Sequence, residues 1–284
     1  MNSKTTLEAH SLALSHKFRP RQCSKLWRSP PKNWKQDLAD ALHQGMESHV
    51  PRFYFRADDI GAGGQPFETL CALFREHRIP LAMAVVPAWL SDSRCRQLFQ
   101  VAPLDETLWN WHQHGWRHVD WQRTGNKSEF CDGRPYEKQF KDISQGKKKL
   151  TSIFGDHLLH VFTPPWNRLS PATIKVVQAL QFKGISMMGP FPRGVKTGND
   201  LKNLRIQVDL HSRRGGDGEE DFRLLCQELS SWTGRREPVG IMIHHQRMND
   251  FAFRFLHELL HLLKHQVGAR FLSFREILEK DEDA

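Results

Sequence analysis

From Arg52 onward this chain alternates short apolar runs with stretches of amphipathic helical spacing, and that alternation restricts the possible folds more than any other feature. The apolar runs are Phe53 to Phe55, Leu81 to Val86, His160 to Phe162, Gly184 to Met187, Arg205 to Val208 and Val239 to Ile243, with a further strand end beside His114. Helical patterns lie between them at Pro66 to His77, Arg94 to Phe99, Tyr136 to Phe154, Pro171 to Leu180, Glu219 to Trp232 and Phe251 to Gln266. Strands joined through helices return in the same direction, so the pattern predicts an α/β fold with a parallel sheet. About 230 residues follow the N-terminal segment, a length that favours a closed or nearly closed (β/α) barrel over an open doubly wound sheet.

Residues 1–50 differ in texture. They are basic and Pro-containing, with one candidate helix from Asn33 to His43, and read as an extension packed on a domain spanning 51–284. The composition, 39% hydrophobic and 26% charged over 284 residues, is that of a globular chain able to bury one large core or two small ones. Neither a run of about 18 apolar residues nor an apolar N-terminal stretch is present, which points to a cytoplasmic protein without a membrane span. The five cysteines are scattered, with no CxxC pair, and are expected to be free thiols. The net charge of +9 is spread thinly. Its densest run, Lys147 to Lys149, falls in a helical stretch and reads as a solvated face, so a nucleic-acid partner is disfavoured and an anionic substrate is the simpler account.

Parallel barrels place chemistry at the carboxyl ends of their strands. The polar residues found there are Asp58 and Asp59 after the first strand, His114 and His118 near the third, and Trp166 and Asn167 after the fourth. Asp209 and His211 follow the sixth strand, and His244 and His245 the seventh. The segments 125–135 and 213–218 read as loops over the same end.

Adjacent carboxylates resist joint ionisation unless a cation or a task separates them, so one of Asp58 and Asp59 is suited to a metal and the other to a base. The competing reading is an N-cap aspartate beside a solvated one. His114 and His118 are four apart, which on a helical turn puts both rings on one face, able to meet one ion. Two histidines and a carboxylate leave open positions for water and a substrate oxygen. His112 is read as turned to the opposite side by strand alternation, and His257, His261 and His265 as a surface or core stripe. Trp109, Trp111 and Trp116 are expected in the core, whereas Trp166, behind two prolines in a loop, suits a ligand face.

Five segments in order, RADDIG, HGWRH, FTPPWN, VDLH and IMIHH, resemble the signature motifs of the NodB-type polysaccharide deacetylases, carbohydrate esterase family 4 and its relatives. The resemblance runs from about Pro51 to Glu279 and implies the seven-stranded distorted barrel of that superfamily. It implies a metal-dependent hydrolase that removes an N-acetyl group from an amino sugar or glycoconjugate precursor. Asp58 then matches the general base, Asp59, His114 and His118 the metal ligands, and His244 the acid that protonates the amine. Pro165, Trp166 and Asn167 match the substrate-binding motif, and Asp209 the acid that tunes the histidine.

The chain departs from the family pattern at three places, the first being that its first motif reads RADDIG rather than the commoner form with phenylalanine before the aspartates, a variant that also resembles the YdjC-like deacetylases. Thr163 stands where an arginine normally tethers the base, leaving Arg56 or Arg168 as substitutes, and His245 stands where an aspartate is usual, so either imidazole could be the acid. The implied cofactor is a divalent metal, zinc first, with cobalt, nickel, iron or manganese also compatible with the ligand set. The expected substrate is an N-acetylated sugar or glycoconjugate, and the basic balance would suit a phosphate-bearing one. An amidohydrolase of non-sugar substrates and a glycan-binding barrel without turnover are the alternatives.

Overall fold

A computed structural model of the chain describes residues 23–192, 195, 201–213 and 215–279. Its strands are β1 (Arg52–Ile60), β2 (Leu81–Val85), β3 (Trp109–His114), β4 (Leu158–Thr163), β5 (Gly184–Ile185), β6 (Lys202–Asn203), β7 (Ile206–Asp209), β8 (Val239–Ile243) and β9 (Arg270–Phe271). All described pairings are parallel, in the order β6-β5-β4-β3-β2-β1-β8-β7, with β9 added on β1. The curled sheet and its flanking helices form the expected (β/α) barrel.

The strand count differs from the expected seven, for a local reason. The two ends of the path, β6 and β7, are successive stretches of one extended segment. The amides of Lys202, Leu204 and Ile206 donate to the carbonyls of Lys183, Ile185 and Met187, while β7 pairs with β8. One stave interrupted at Leu204 and Arg205 thus counts as two strands, and it brings the sheet round onto itself.

The helices are α1 (Trp34–Gln44), α2 (Gln65–His77), α3 (Asp92–Val101), α4 (Tyr136–Phe154), α5 (Pro171–Ala179), α6 (Gly218–Thr233), α7 (Asp250–His265) and α8 (Phe274–Glu279). Strand alternation divides the apolar residues into two sets. Phe53, Phe55, Leu81, Met83, Trp109, Trp111, Ile241 and Ile243 pack outward with the helices in the main core. Tyr54, Ala82, Val161 and Met242 face inward, closed from below by Leu272 and Phe274. The same inward face carries Arg56 and Asp58 on β1, and these side chains are buried.

The described part of the N-terminal segment belongs to the main core. Leu26, Trp27, Leu38 and Leu42 are fully buried in it. The Trp27 ring lies 5.0 Å from Phe255 and its Nε1 donates to the Leu210 carbonyl at 3.0 Å. Residues 1–22 lie outside the described residues.

The lysine run is less solvated than expected. Lys147 and Lys149 donate to the carbonyls of Leu180 and Leu90, closing the ends of neighbouring elements. The five cysteines are free thiols. Among the described residues, no helix is long and apolar enough to cross a membrane.

Candidate metal and catalytic site

β3 ends on His114, whose ring faces the barrel interior. Its Nδ1 donates to the Thr163 carbonyl at 3.0 Å, which leaves Nε2 as the lone-pair nitrogen, 3.3 Å from Asp59 Oδ1. His118 brings its Nε2 to 3.1 Å from the same oxygen. The two histidines do not meet on a helix, as their spacing suggested. His114 closes a strand and His118 lies beyond a turn with left-handed residues at Gly115 (φ 57°) and His118 (φ 59°).

The turn is held by Glu129, which sequence reasoning did not identify. Its buried carboxylate accepts from the amides of Arg117 at 2.7 Å, His118 at 3.2 Å and Trp116 at 3.3 Å. Gly115 is required here, because a Cβ would lie 2.3 Å from Glu129 Oε2 and 2.6 Å from Pro165 Cγ. The only trace of this role in the sequence is an acid placed in a loop beside apolar Phe130.

Asp59 itself is left-handed, at φ 62°, as are Trp166 and Asn167 at 56° and 55°. Such a conformation costs about 1–3 kcal/mol for each non-glycine residue, and with His118 four of them gather around one cleft. Gln246 fixes the Asp59 backbone by donating to its carbonyl at 2.9 Å. Asp59 Oδ1 is buried and close to both imidazoles, yet neither contact is aligned as a hydrogen bond. Burial would raise the Asp59 pKa, but the two imidazoles outweigh it and hold it well below the usual carboxylate range. The three donor atoms lie within 4.8 Å of one another. Two imidazole nitrogens and one carboxylate oxygen converging on one point fit a divalent metal of the zinc class.

Asp58 stands beside this group. Arg56, two residues earlier on the same strand face, grips it from both sides, Nε to Oδ1 at 2.7 Å and Nη2 to Oδ2 at 2.8 Å. The guanidinium also donates to Ser186 Oγ and to Asn167 Oδ1, both at 2.8 Å. Burial alone would raise Asp58, but Arg56 and the nearby imidazoles prevail, and its carboxyl sits below the ordinary range. Arg168, the other candidate tether, is exposed and donates to the Lys127 carbonyl. Thr163, in the arginine's place, spends its hydroxyl on His112 Nε2 at 3.0 Å.

His112 corrects a second expectation. Residues two apart on a strand share a face, so His112 lies on the same interior side as His114, one layer deeper, with its ring 5.1 Å from Phe274. The same rule separates His244 from His245. His244 lines the cleft, whereas His245 is buried on the outer side, 5.9 Å from the Phe67 ring.

Asp209 lines the cleft too, but its carboxylate is used locally. It accepts from the amides of His211 and Ser212 and from the Ser212 hydroxyl, fixing the turn after β7. The group against His244 is His211, whose Nδ1 accepts from the His244 amide at 3.3 Å. Pro165, expected to wall the groove, is buried against Gly115. Asn167 is committed through its amide oxygen to Arg56 and to the Met188 amide. Trp166 remains at the cleft, its ring 4.3 Å from that of His118. Trp109 and Trp111 are core residues, as expected, while Trp116 is only partly buried.

These side chains converge on a cleft of about 520 Å³ at the carboxyl ends of the strands. Gly125, Asn126 and Lys127 reach over it from the expected loop, and Arg168 and Arg247 add positive charge to its lining. A larger groove of about 850 Å³ between α1 and α6 is lined by no histidine.

No protein-family model matches the chain, and no curated protein matches it by sequence. Solved structures do resemble its fold. A Mycobacterium smegmatis protein assigned as a polysaccharide deacetylase aligns with a TM-score of 0.59 at 14% identity, over 84% of this chain and 92% of its own. A CE4 family pseudoenzyme from Bacillus anthracis aligns at 0.52 and 10% identity, over 83% and 67%. A family 4 acetyl xylan esterase from Clostridium thermocellum, in complex with a cobalt ion, aligns at 0.50 and 13%, over 82% and 92%. The chain therefore has the NodB-type deacetylase fold, with eight strands on its main path.

Proposed function

We propose that this chain is a metal-dependent N-deacetylase, a hydrolase that cleaves the acetamido carbon–nitrogen bond of an amino sugar or glycoconjugate precursor. The observation that supports this most is the meeting of three chemistries in one cleft. Asp59, His114 and His118 form a ligand set, Arg56 holds Asp58 ionised, and His244 faces them. Once held by the three ligands, a divalent ion would supply Lewis acidity to the acetyl carbonyl and acidity to an attacking water.

The protein's own groups do the rest. Both Asp58 oxygens receive Arg56 donors and still carry free lone pairs, so the carboxylate can take a proton from the water. A new carbon–oxygen bond forms as the carbonyl π pair moves onto oxygen. When that pair returns, the carbon–nitrogen bond breaks and His244 gives a proton to the nitrogen, leaving acetate and a free amine. The Trp166 ring offers an apolar face to a sugar ring. Lys127, Arg168 and Arg247 suit a phosphate-bearing substrate rather than a neutral polymer.

The test is acetate release from a panel of N-acetylated sugars and glycoconjugates, with zinc, cobalt or manganese supplied. Asp59→Ala and His118→Ala should each abolish tight metal binding and turnover together. Full turnover by a metal-stripped Asp59→Ala protein would end this reading. The fold shared with a CE4 pseudoenzyme supports one rival, a glycan-binding barrel without turnover. Metal-loaded protein that binds glycans but releases no acetate from any of them would favour it.

A further inference from the structure

Among the described residues, one other group of metal-capable side chains gathers closely enough to share an ion, and it lies away from the cleft. Glu76, His77 and His257 bring three donor atoms within 4.8 Å of one another. We propose that they form a second site for a divalent transition metal of the zinc class, pinning α2 to α7 on the outside of the barrel.

The site's place follows from the topology. α2 carries the chain from the carboxyl end of β1 back toward the start of β2, and Glu76 and His77 are its last residues. The cluster therefore sits toward the end of the barrel opposite the cleft. His257 reaches it from the middle of α7, its ring 5.0 Å from that of His77 and its Nε2 3.4 Å from Glu76 Oε1.

Two features indicate a ligand rather than chance proximity. His77 is 5% exposed, and its Nε2 is buried with no hydrogen-bond partner. A buried polar nitrogen of this kind is costly unless something accepts its lone pair or its proton. Burial also favours the neutral imidazole, which is the form that binds metal. Glu76 and His257, by contrast, are about one-third exposed, so they can draw in toward an ion while water fills the open positions.

Lys264 brings a positive charge nearby by donating to the His77 carbonyl at 2.6 Å, and the Glu76 carboxylate offsets it. The competing pair is His261 and His265 on the same helix, with ring centroids 4.8 Å apart.

The experiment uses the full chain carrying Asp59→Ala and His118→Ala, which removes the cleft's ligand set. Zinc uptake is read by calorimetric titration and by competition with a chelator. This protein should take up about one zinc per chain and melt a few degrees higher with zinc, because an ion that binds only the folded state stabilises it. Adding His257→Gln or Glu76→Gln should weaken uptake at least tenfold and remove the shift in melting, whereas His265→Gln should change neither. On an otherwise unaltered chain, which guards against misfolding of the double variant, uptake should fall by about one zinc ion with His257→Gln. Absence of uptake by the double variant, uptake that survives His257→Gln, or uptake lost with His265→Gln would each overturn the proposal. None of these results bears on turnover in the cleft.

Discussion

Asp58 and Arg56 lie two residues apart on one strand, so they share a face and meet inside the barrel before any other part of the fold contributes. The pair is buried, and removing one member leaves the other as an uncompensated charge. Arg56→Met should therefore destabilise the fold by about 3–5 kcal/mol in urea unfolding. Arg56→Lys keeps the charge but loses the two-pronged grip, and should leave the fold standing. With a weaker partner the Asp58 pKa rises, so the acid limb of the rate profile in this variant should move to higher pH. An unchanged limb would remove Asp58 from the role of base. The tether was legible in the sequence only as a choice between two arginines. The strand face that Arg56 shares with Asp58 decides it, while Arg168 turns outward to the Lys127 carbonyl. What could not be read was the use made of Thr163, because its carbonyl orients His114 and its hydroxyl binds His112 across strands 49 and 51 residues apart.

At the scale of elements, the turn from Gly115 to His118 is the most consequential piece. Its residues gain little from one another, and three of their amides depend on the Glu129 carboxylate. Glu129→Gln retains one acceptor oxygen and loses the charge, and should weaken metal binding about 10–100-fold while secondary structure is kept. Chelator competition measures this, and unchanged affinity would show that the turn holds itself. The strands and helices were visible beforehand because burial imposes a period of two or of 3.6 on the residues. The spacing of Asn33 to His43 and of Tyr136 to Phe154 sufficed to place both helices, which run over Trp34–Gln44 and Tyr136–Phe154. The His114 to His118 turn was not visible as such, since left-handed residues other than glycine leave no compositional mark. The same holds for the stave divided at Leu204 and Arg205, where the pairing changes but the residue types do not.

For the molecule as a whole, the interior holds histidines that cannot take a proton cheaply. Burial pushes His112 down to about 3 and His245 down to about 4, from an unfolded value of 6.5. His211 is displaced in the same direction by the same cause. Between these values and 6.5 the unfolded chain binds more protons than the folded one, so the associated stability is complete above pH 6.5 and is lost as the pH falls. Each such histidine contributes a slope of about 1.4 kcal/mol per pH unit. Between pH 6.5 and pH 5, urea unfolding should lose about 1.5–2 kcal/mol less stability in His112→Gln than in the parent chain. A flat profile would mean that these rings are protonated in the folded state.

The inward face of β1 that carries Arg56 and Asp58 is completed by residues far along the chain. Arg270 donates its amide to the Pro51 carbonyl, Leu272 donates to that of Phe53, and the Phe274 ring rests 5.7 Å from Tyr54. At a synthesis rate of about 5–20 residues per second, more than ten seconds separate β1 leaving the ribosome from the arrival of these partners. Through that interval the polar column of the first strand has neither its floor nor its second neighbour in the sheet. Chaperone capture of nascent chains should accordingly be concentrated at lengths short of residue 274, and release should follow the docking of Phe274 beneath Tyr54.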